Sequence, residues 1–203
     1  MEWSAHRTVR VLVMGLVLLL LLSGVVMLYS TSFAACSEYY LKRQALWVSL
    51  GGLLATGLAC LDYRRLGRVS MVLMGAVALA LAYLAMAHVL YRLSWTRGLV
   101  DYLPLISGPT KGSFRWLRLG GFSLQPSEFA KPVMVLFLAE YYQRWARYTL
   151  EFKRGFVVPL LCCGAVIGLI FLGKNLSTTL ITGSIMVVMM FVAGVRLRYL
   201  IGL

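Results

Sequence analysis

The chain has 203 residues, of which 61% are hydrophobic and only 13% are charged, whereas a soluble domain carries about 25% charged residues. Too few polar side chains are present to cover a water-facing surface, and a disordered chain would have the opposite composition. Lys and Arg outnumber Asp and Glu by 20 to 7, a net charge of +13; with no basic stripe interleaved among polar helices, this excess points to membrane loops and head groups and not to nucleic acid.

A bilayer core about 30 Å thick needs roughly 20 apolar residues in a helix. Six stretches meet that need: about 11–30, 42–61, 69–90, 126–143, 156–173 and 176–194. The expected fold is therefore all-α, a polytopic membrane protein of about six transmembrane helices forming one transmembrane domain over 1–203. The first stretch follows Arg7 and Arg10 like a signal peptide. Its apolar run is longer than a typical h-region of about 7–15 residues, and Phe33-Ala34-Ala35-Cys36 is a poor processing site, so a retained helix is expected. Cys36, Cys60, Cys162 and Cys163 show neither CxxC spacing nor a Cys/His cluster, so no disulfide or metal is expected, and Cys60, Cys162 and Cys163, inside apolar runs, are read as small buried hydrophobes.

Orientation follows from the basic residues. With the N-terminus in the cytoplasm, 11 of the 20 Lys and Arg fall on the inner side: Arg7 and Arg10, Arg64, Arg65 and Arg68, Arg144, Arg147, Lys153 and Arg154, and Arg196 and Arg198. Six of the nine outer ones sit in the single long connection, 91–131. Six spans bring the chain back to the cytoplasm after Arg196 and Arg198, and the abrupt end at Leu203 is expected to be an interruption of a longer protein.

Long loops in a compact protein are usually functional or disordered, and this one mixes aromatics, cations and glycines, which is not a linker composition. In this one, Phe114, Trp116, Leu117 and Leu119 alternate with Arg115 and Arg118. Such a pattern suits a short amphipathic element at the interface, with its apolar side in lipid and its guanidinium groups among head groups. A simple interfacial anchor would read the same way. The helix that follows opens on Gln125-Pro126-Ser127-Glu128. Proline suits the first helical position, and the residue before it is driven to extended geometry. Glu128 would lie in the first turn, favoured by the helix dipole, and Lys131 three residues on shares its face, so an ion pair is expected at the mouth of the span. Pro132 cannot donate to the Glu128 carbonyl. A released backbone acceptor beside a charged pair implies a polar, water-accessible cavity at this helix end. Lys174-Asn175-Leu176-Ser177-Thr178-Thr179 is a second polar island. It reads either as a turn with Asn175 or Ser177 capping the next helix, or as another wall of the same cavity.

The run GSFRWLRLGGFSLQPSEFAK at 112–131 resembles the signature loop of the SEDS membrane proteins, the FtsW/RodA/SpoVE group. Val26–Ser32, Lys42-Arg43-Gln44 with Trp47, Leu61–Leu66 and Phe191–Gly194 are similar to other stretches of that family, so the likeness covers the whole chain. Tyr29-Ser30-Thr31-Ser32 and Pro126-Ser127-Glu128-Phe129 lean towards its FtsW branch, with division, elongation and sporulation roles all open. The resemblance implies a peptidoglycan glycosyltransferase that polymerises lipid II, an undecaprenyl-diphosphate-linked sugar, at the outer membrane face. It implies a class B penicillin-binding protein as partner, with other divisome or elongasome proteins. By motif match it places Arg115, Trp116, Arg118, Gln125, Ser127, Glu128 and Lys131 in the substrate site, with Pro126 and Pro132 as frame. Arg115, Arg118 and Lys131 could then bond phosphate and stabilise a leaving diphosphate. The family's proposed catalytic Asp would lie beyond Leu203, and Asp101 carries no motif that makes it a substitute, so this stretch alone is expected to be inactive. Where the family often has an Asp-bearing turn before helix six, this chain has Gly173-Lys174-Asn175. A divalent cation, Mg or Mn, would suit a diphosphate, though no ligand cluster is visible. A lipid II flippase or a non-catalytic membrane scaffold are the alternatives.

Overall fold

The computed structural model describes residues 2–32, 37–93, 98, 103–106, 114–119 and 122–201. Asp101, Lys111, Cys36 and the Phe33-Ala34-Ala35 stretch lie outside them. The architecture is all-α and polytopic with one small hairpin, and it divides into two compact units, Met1–Leu61 and Asp62–Leu203.

The first unit is a pair of helices, α1 (Glu2–Ser32) and α2 (Ser37–Cys60). Apolar side chains point outward all round α1: Leu12, Met14, Leu20 and Leu22 are each at least 60% exposed. A helix apolar on every side has lipid as its surroundings. The few hydroxyls bond within their own helix, Ser23 Oγ to the Leu20 carbonyl at 2.9 Å and Thr56 Oγ1 to the Gly52 carbonyl at 2.8 Å, which satisfies them where no water can.

The second unit begins with α3 (Tyr63–Arg92). It continues through β1 (Leu117–Leu119) and β2 (Phe122–Leu124) to α4 (Pro126–Arg144). A 3₁₀ turn (Ala146–Tyr148) and a π-helical turn (Phe152–Val157) lead into α5 (Val158–Leu172), α6 (Leu176–Val192) and the short α7 (Leu197–Ile201). Its core is built on α4. Ala130, Met134 and Leu138 recur every fourth residue and are completely buried, as one helix face should be. They meet Met74 and Leu81 of α3, Cys163, Val166 and Ile170 of α5, and Met186 and Met190 of α6 in one cluster. Cys163 is the buried hydrophobe expected, whereas Cys60 and Cys162 are not buried but exposed free thiols, on helix faces that no other described helix covers.

Among the described residues, Val11–Ser30, Arg65–Arg92 and Phe152–Leu172 are long and apolar enough to cross a membrane, and Leu176–Val192 is a shorter apolar helix. The central α4 differs because its ends are charged: Glu128 and Lys131 at one, Glu140 and Arg144 at the other. Its 19 residues span about 28 Å, with one charged pair towards each end.

Of the long connection, the described residues from 114 to 125 form no helix. Its described part pairs β1 with β2 antiparallel, Leu117 opposite Leu124 and Arg118 opposite Ser123, and Ile106 bridges to Leu117. Nor does Phe114 face lipid. It is 3% exposed, packed with Leu84 and Ala87 of α3 and edge-on to Tyr91 at 5.4 Å between ring centroids. Burying that ring against α3 removes more apolar surface from water than an interfacial placement would.

At the opposite edge the α4–α5 connection is tied by two phenols. Tyr141 Oη donates to the Arg154 carbonyl at 2.7 Å and Tyr142 Oη to the Gly155 carbonyl at 2.8 Å. Arg147 and Arg154 lie over the Tyr148 ring at 4.9 and 4.4 Å. Gly155 is packed so closely that a Cβ there would overlap the Thr149 carbonyl. Beyond α6, the Tyr199 ring meets Phe152 at 4.9 Å, and a hydrogen bond from Arg198 holds its phenol below the usual range.

Candidate functional site

The charged mouth of α4 is set by its first turn. Gln125, at φ −103° and ψ 107°, is extended as the residue before a proline must be. Pro126 opens the helix, and the Glu128 amide reaches back to the Gln125 carbonyl at 3.1 Å. The Gln125 side chain caps no backbone group; its Nε2 donates instead to Ser127 Oγ at 2.9 Å. This fixes Ser127, which is 6% exposed, against the core. Glu128 and Lys131 form the expected ion pair, Nζ to Oε2 at 2.7 Å, with the lysine side chain 24% and the carboxylate 50% exposed. The distance is that of a charge-assisted hydrogen bond. The helix runs unbroken through Pro132, whose missing N–H leaves the Glu128 carbonyl without its i+4 donor.

Arg115 has a structural role that its sequence position does not show. Its Nε donates to the Gly173 carbonyl at 3.1 Å and its Nη2 to the Lys174 carbonyl at 2.5 Å. One guanidinium thus clamps the loop before α4 to the turn between α5 and α6, 58 residues on. The turn is shaped for this: Lys174 is in the left-handed region at φ 55°, a conformation that costs a non-glycine residue about 1 kcal/mol or more. Asn175 is the N-cap of α6, its Oδ1 accepting from the Thr178 amide at 3.4 Å. Asn175 also borders a small cavity with Arg115, Ser127, Phe114 and Gly173. The capping reading of the polar island thus holds for Asn175, and the cavity it borders is not lined by Glu128 or Lys131. The cavity measures about 20 Å³, room for about one water molecule.

The remaining sequence candidates spread outward from this point. Trp116 is half-buried, and Arg118 is exposed on β1. The Glu128–Lys131 pair stands beside the cavity and does not line it, because successive side chains on a helix point about 100° apart. Three cations from separate elements therefore serve different ends: Arg115 is held by carbonyls, Lys131 by a carboxylate, and Arg118 faces outward. Sequence reasoning missed the carbonyl pair of Gly173 and Lys174, for which the only signal is a turn with an unfavourable residue in it. It also missed His88 on α3. That side chain is 5% exposed, and its Nδ1 has no hydrogen-bond partner among the described residues. No group of three His, Cys, Asp or Glu that could hold a metal ion occurs among the described residues.

Comparison with known proteins places this architecture. The profile of the cell cycle protein family FtsW/RodA/SpoVE matches residues 10–203. The probable peptidoglycan glycosyltransferase FtsW of Nitrosomonas europaea is 33% identical over 202 residues, covering 95% of this chain and 47% of the relative. That of Geobacter metallireducens is 28% identical over 187 residues, covering 89% and 45%. The chain spans about half the length of the curated relatives it matches. Among solved structures, the rod shape determining protein RodA of Thermus thermophilus superposes with a TM-score of 0.63 at 26% identity, covering 91% of this chain and 55% of that one. A chain from a peptidoglycan synthase complex that coordinates polymerization and crosslinking gives 0.64 at 27% identity, covering 87% and 46%. With the profile running through both units and the loop clamp, this multi-pass membrane chain belongs to the FtsW/RodA/SpoVE family.

Proposed function

We propose that the chain contributes the first six spans of a peptidoglycan glycosyltransferase that polymerises lipid II at the outer face of the bacterial cytoplasmic membrane, with its N-terminus in the cytoplasm. The observation that carries this reading is the charged edge of α4. The Glu128–Lys131 couple stands next to a loop that Arg115 clamps to the α5–α6 turn. A glycosyl transfer from a lipid diphosphate breaks the bond from the anomeric carbon to phosphate oxygen while a sugar hydroxyl attacks. Negative charge grows on the departing diphosphate, and cations fixed beforehand stabilise it more than mobile ones would. We assign that role to Lys131, oriented by Glu128, and to the exposed Arg118. The base that takes the proton from the attacking hydroxyl is expected outside this chain, on the residue that the family resemblance sets beyond Leu203. Crosslinking would fall to a class B penicillin-binding protein, a reading supported by the likeness to a synthase complex that couples the two activities.

The test uses the complete protein, its partner and labelled lipid II. Lys131→Ala is expected to reduce polymer about 10²-fold, the size seen when one fixed donor to a developing charge is removed, with partner binding unchanged. Glu128→Ala is expected to lose less, since the ammonium remains but wanders. Normal polymer in both variants with lost lipid II transfer across vesicles would favour the flippase. Normal polymer and transfer with lost partner binding would favour the scaffold.

A further inference from the structure

The other end of α4 holds a second charged site, about 18 Å along the helix axis from the first. Glu140 and Arg144 face the beginning of α3 across a pocket of about 90 Å³, which Arg68, Ser70 and Trp145 also line. Glu140 reaches in because residue 67 is glycine: a Cβ there would overlap Glu140 Oε2 and approach its carboxyl carbon to 3.2 Å. The Ser70 hydroxyl, bonded to the Gly67 carbonyl at 2.6 Å, tightens this turn of α3. The Glu140–Arg144 contact is 3.5 Å, longer than the 2.7–2.9 Å typical of a charge-assisted bond, so the carboxylate keeps accepting capacity. Arg144 is 60% exposed on its side chain while Glu140 is 24% exposed. Arg68 is exposed and has no acidic partner among the described residues.

The pocket therefore presents one recessed carboxylate and two outer guanidinium groups, beside a half-open Trp145 at the interface. A simple anion would satisfy the arginines and face Glu140 as a like charge. A simple cation would do the reverse. We propose that the pocket holds the phosphoethanolamine head group of a membrane lipid, its phosphate on Arg68 and Arg144 and its primary ammonium on Glu140. The pocket, at about 90 Å³, is several times the space one water needs, so it admits a small zwitterion. A trimethylammonium head group is bulkier there and has no N–H for the carboxylate. The guanidinium fork matches phosphate geometry in a way a lysine would not.

The complete protein, purified in detergent, is offered phosphatidylethanolamine, phosphatidylglycerol and phosphatidylcholine of identical acyl chains, and retained lipid is measured by native mass spectrometry. Phosphatidylethanolamine is expected to be retained over the other two, and soluble O-phosphoethanolamine is expected to displace it. Arg68→Gln should lower retention about tenfold, the loss of one charge-assisted bond, and Arg68→Lys should restore only part of it. Glu140→Gln should shift preference to phosphatidylglycerol, because only the arginines then remain charged. Both exposed arginines can be changed without touching the core, and unaltered thermal unfolding of each variant certifies its fold. Preference for phosphatidylglycerol by the unaltered protein would show a plain cationic patch and overturn the proposal. Retention that is insensitive to both Arg68→Gln and Glu140→Gln, or to O-phosphoethanolamine, would overturn it equally.

Discussion

Replacing Arg115 by alanine in the complete protein is expected to abolish polymer formation by about 10²-fold or more while lowering thermal stability by only about 1.5–3 kcal/mol, the range for hydrogen bonds from a charged donor. The imbalance follows from what the guanidinium holds. It joins two segments 58 and 59 residues apart through the Gly173 and Lys174 carbonyls, and neither segment belongs to the buried core around Met134 and Leu138. Loss of the clamp lets the loop and the α5–α6 turn move independently, so the cavity shared by Arg115, Ser127 and Asn175 opens. Lysine cannot replace the fork, because a single ammonium does not fix two carbonyls in a plane; Arg115→Lys should recover stability more than activity. Polymer yield and thermal unfolding, measured on the same preparations, check this. Full activity in Arg115→Ala would show that the clamp is dispensable.

The second large effect lies at the opposite edge. Gly155→Ala is expected to destabilise the protein by about 1–3 kcal/mol, the cost of forcing extra volume into a packed site. The added Cβ would overlap the Thr149 carbonyl and lie 2.9 Å from that of Tyr148. Both are backbone atoms, so no side chain can swing aside. Any shift also disturbs the bond from Tyr142 Oη to the Gly155 carbonyl. Gly164→Ala in α5 is the internal control: a Cβ there meets nothing within 4 Å, and alanine favours a helix over glycine by up to about 1 kcal/mol. Thermal unfolding in detergent should separate the two substitutions. Equal stability for both would mean that the π-helical turn yields freely.

The parts legible in the sequence are those governed by local rules. Hydropathy runs located the helices because lipid requires about 20 apolar residues at a time. The three-residue spacing of Glu128 and Lys131 gave their ion pair, since one helical turn brings them together. Pro126 placed the start of α4 through its fixed φ and missing N–H. The rest depends on distant partners. Nothing near Arg115 names the carbonyls of Gly173 and Lys174. The three-residue strands Leu117–Leu119 and Phe122–Leu124 are too short to show a period of two. Phe114 reads as a lipid-facing aromatic until α3 is seen to supply Leu84, Ala87 and Tyr91 around it. Gly67 is one of 19 glycines, and its value lies in the carboxylate it admits from another helix.

The central claim is that the Glu128–Lys131 edge of α4 opens to the exterior and the Glu140–Arg144 edge to the cytoplasm. The most direct test introduces a lone cysteine, by Glu128→Cys or by Arg144→Cys, into a complete protein whose native cysteines are replaced, and treats intact cells with a membrane-impermeant thiol reagent. Labelling of the Glu128→Cys variant in intact cells, with the Arg144→Cys variant labelled only after permeabilisation, is the expected result. The reverse pattern, or a Glu128→Cys variant that no aqueous reagent reaches, would contradict it.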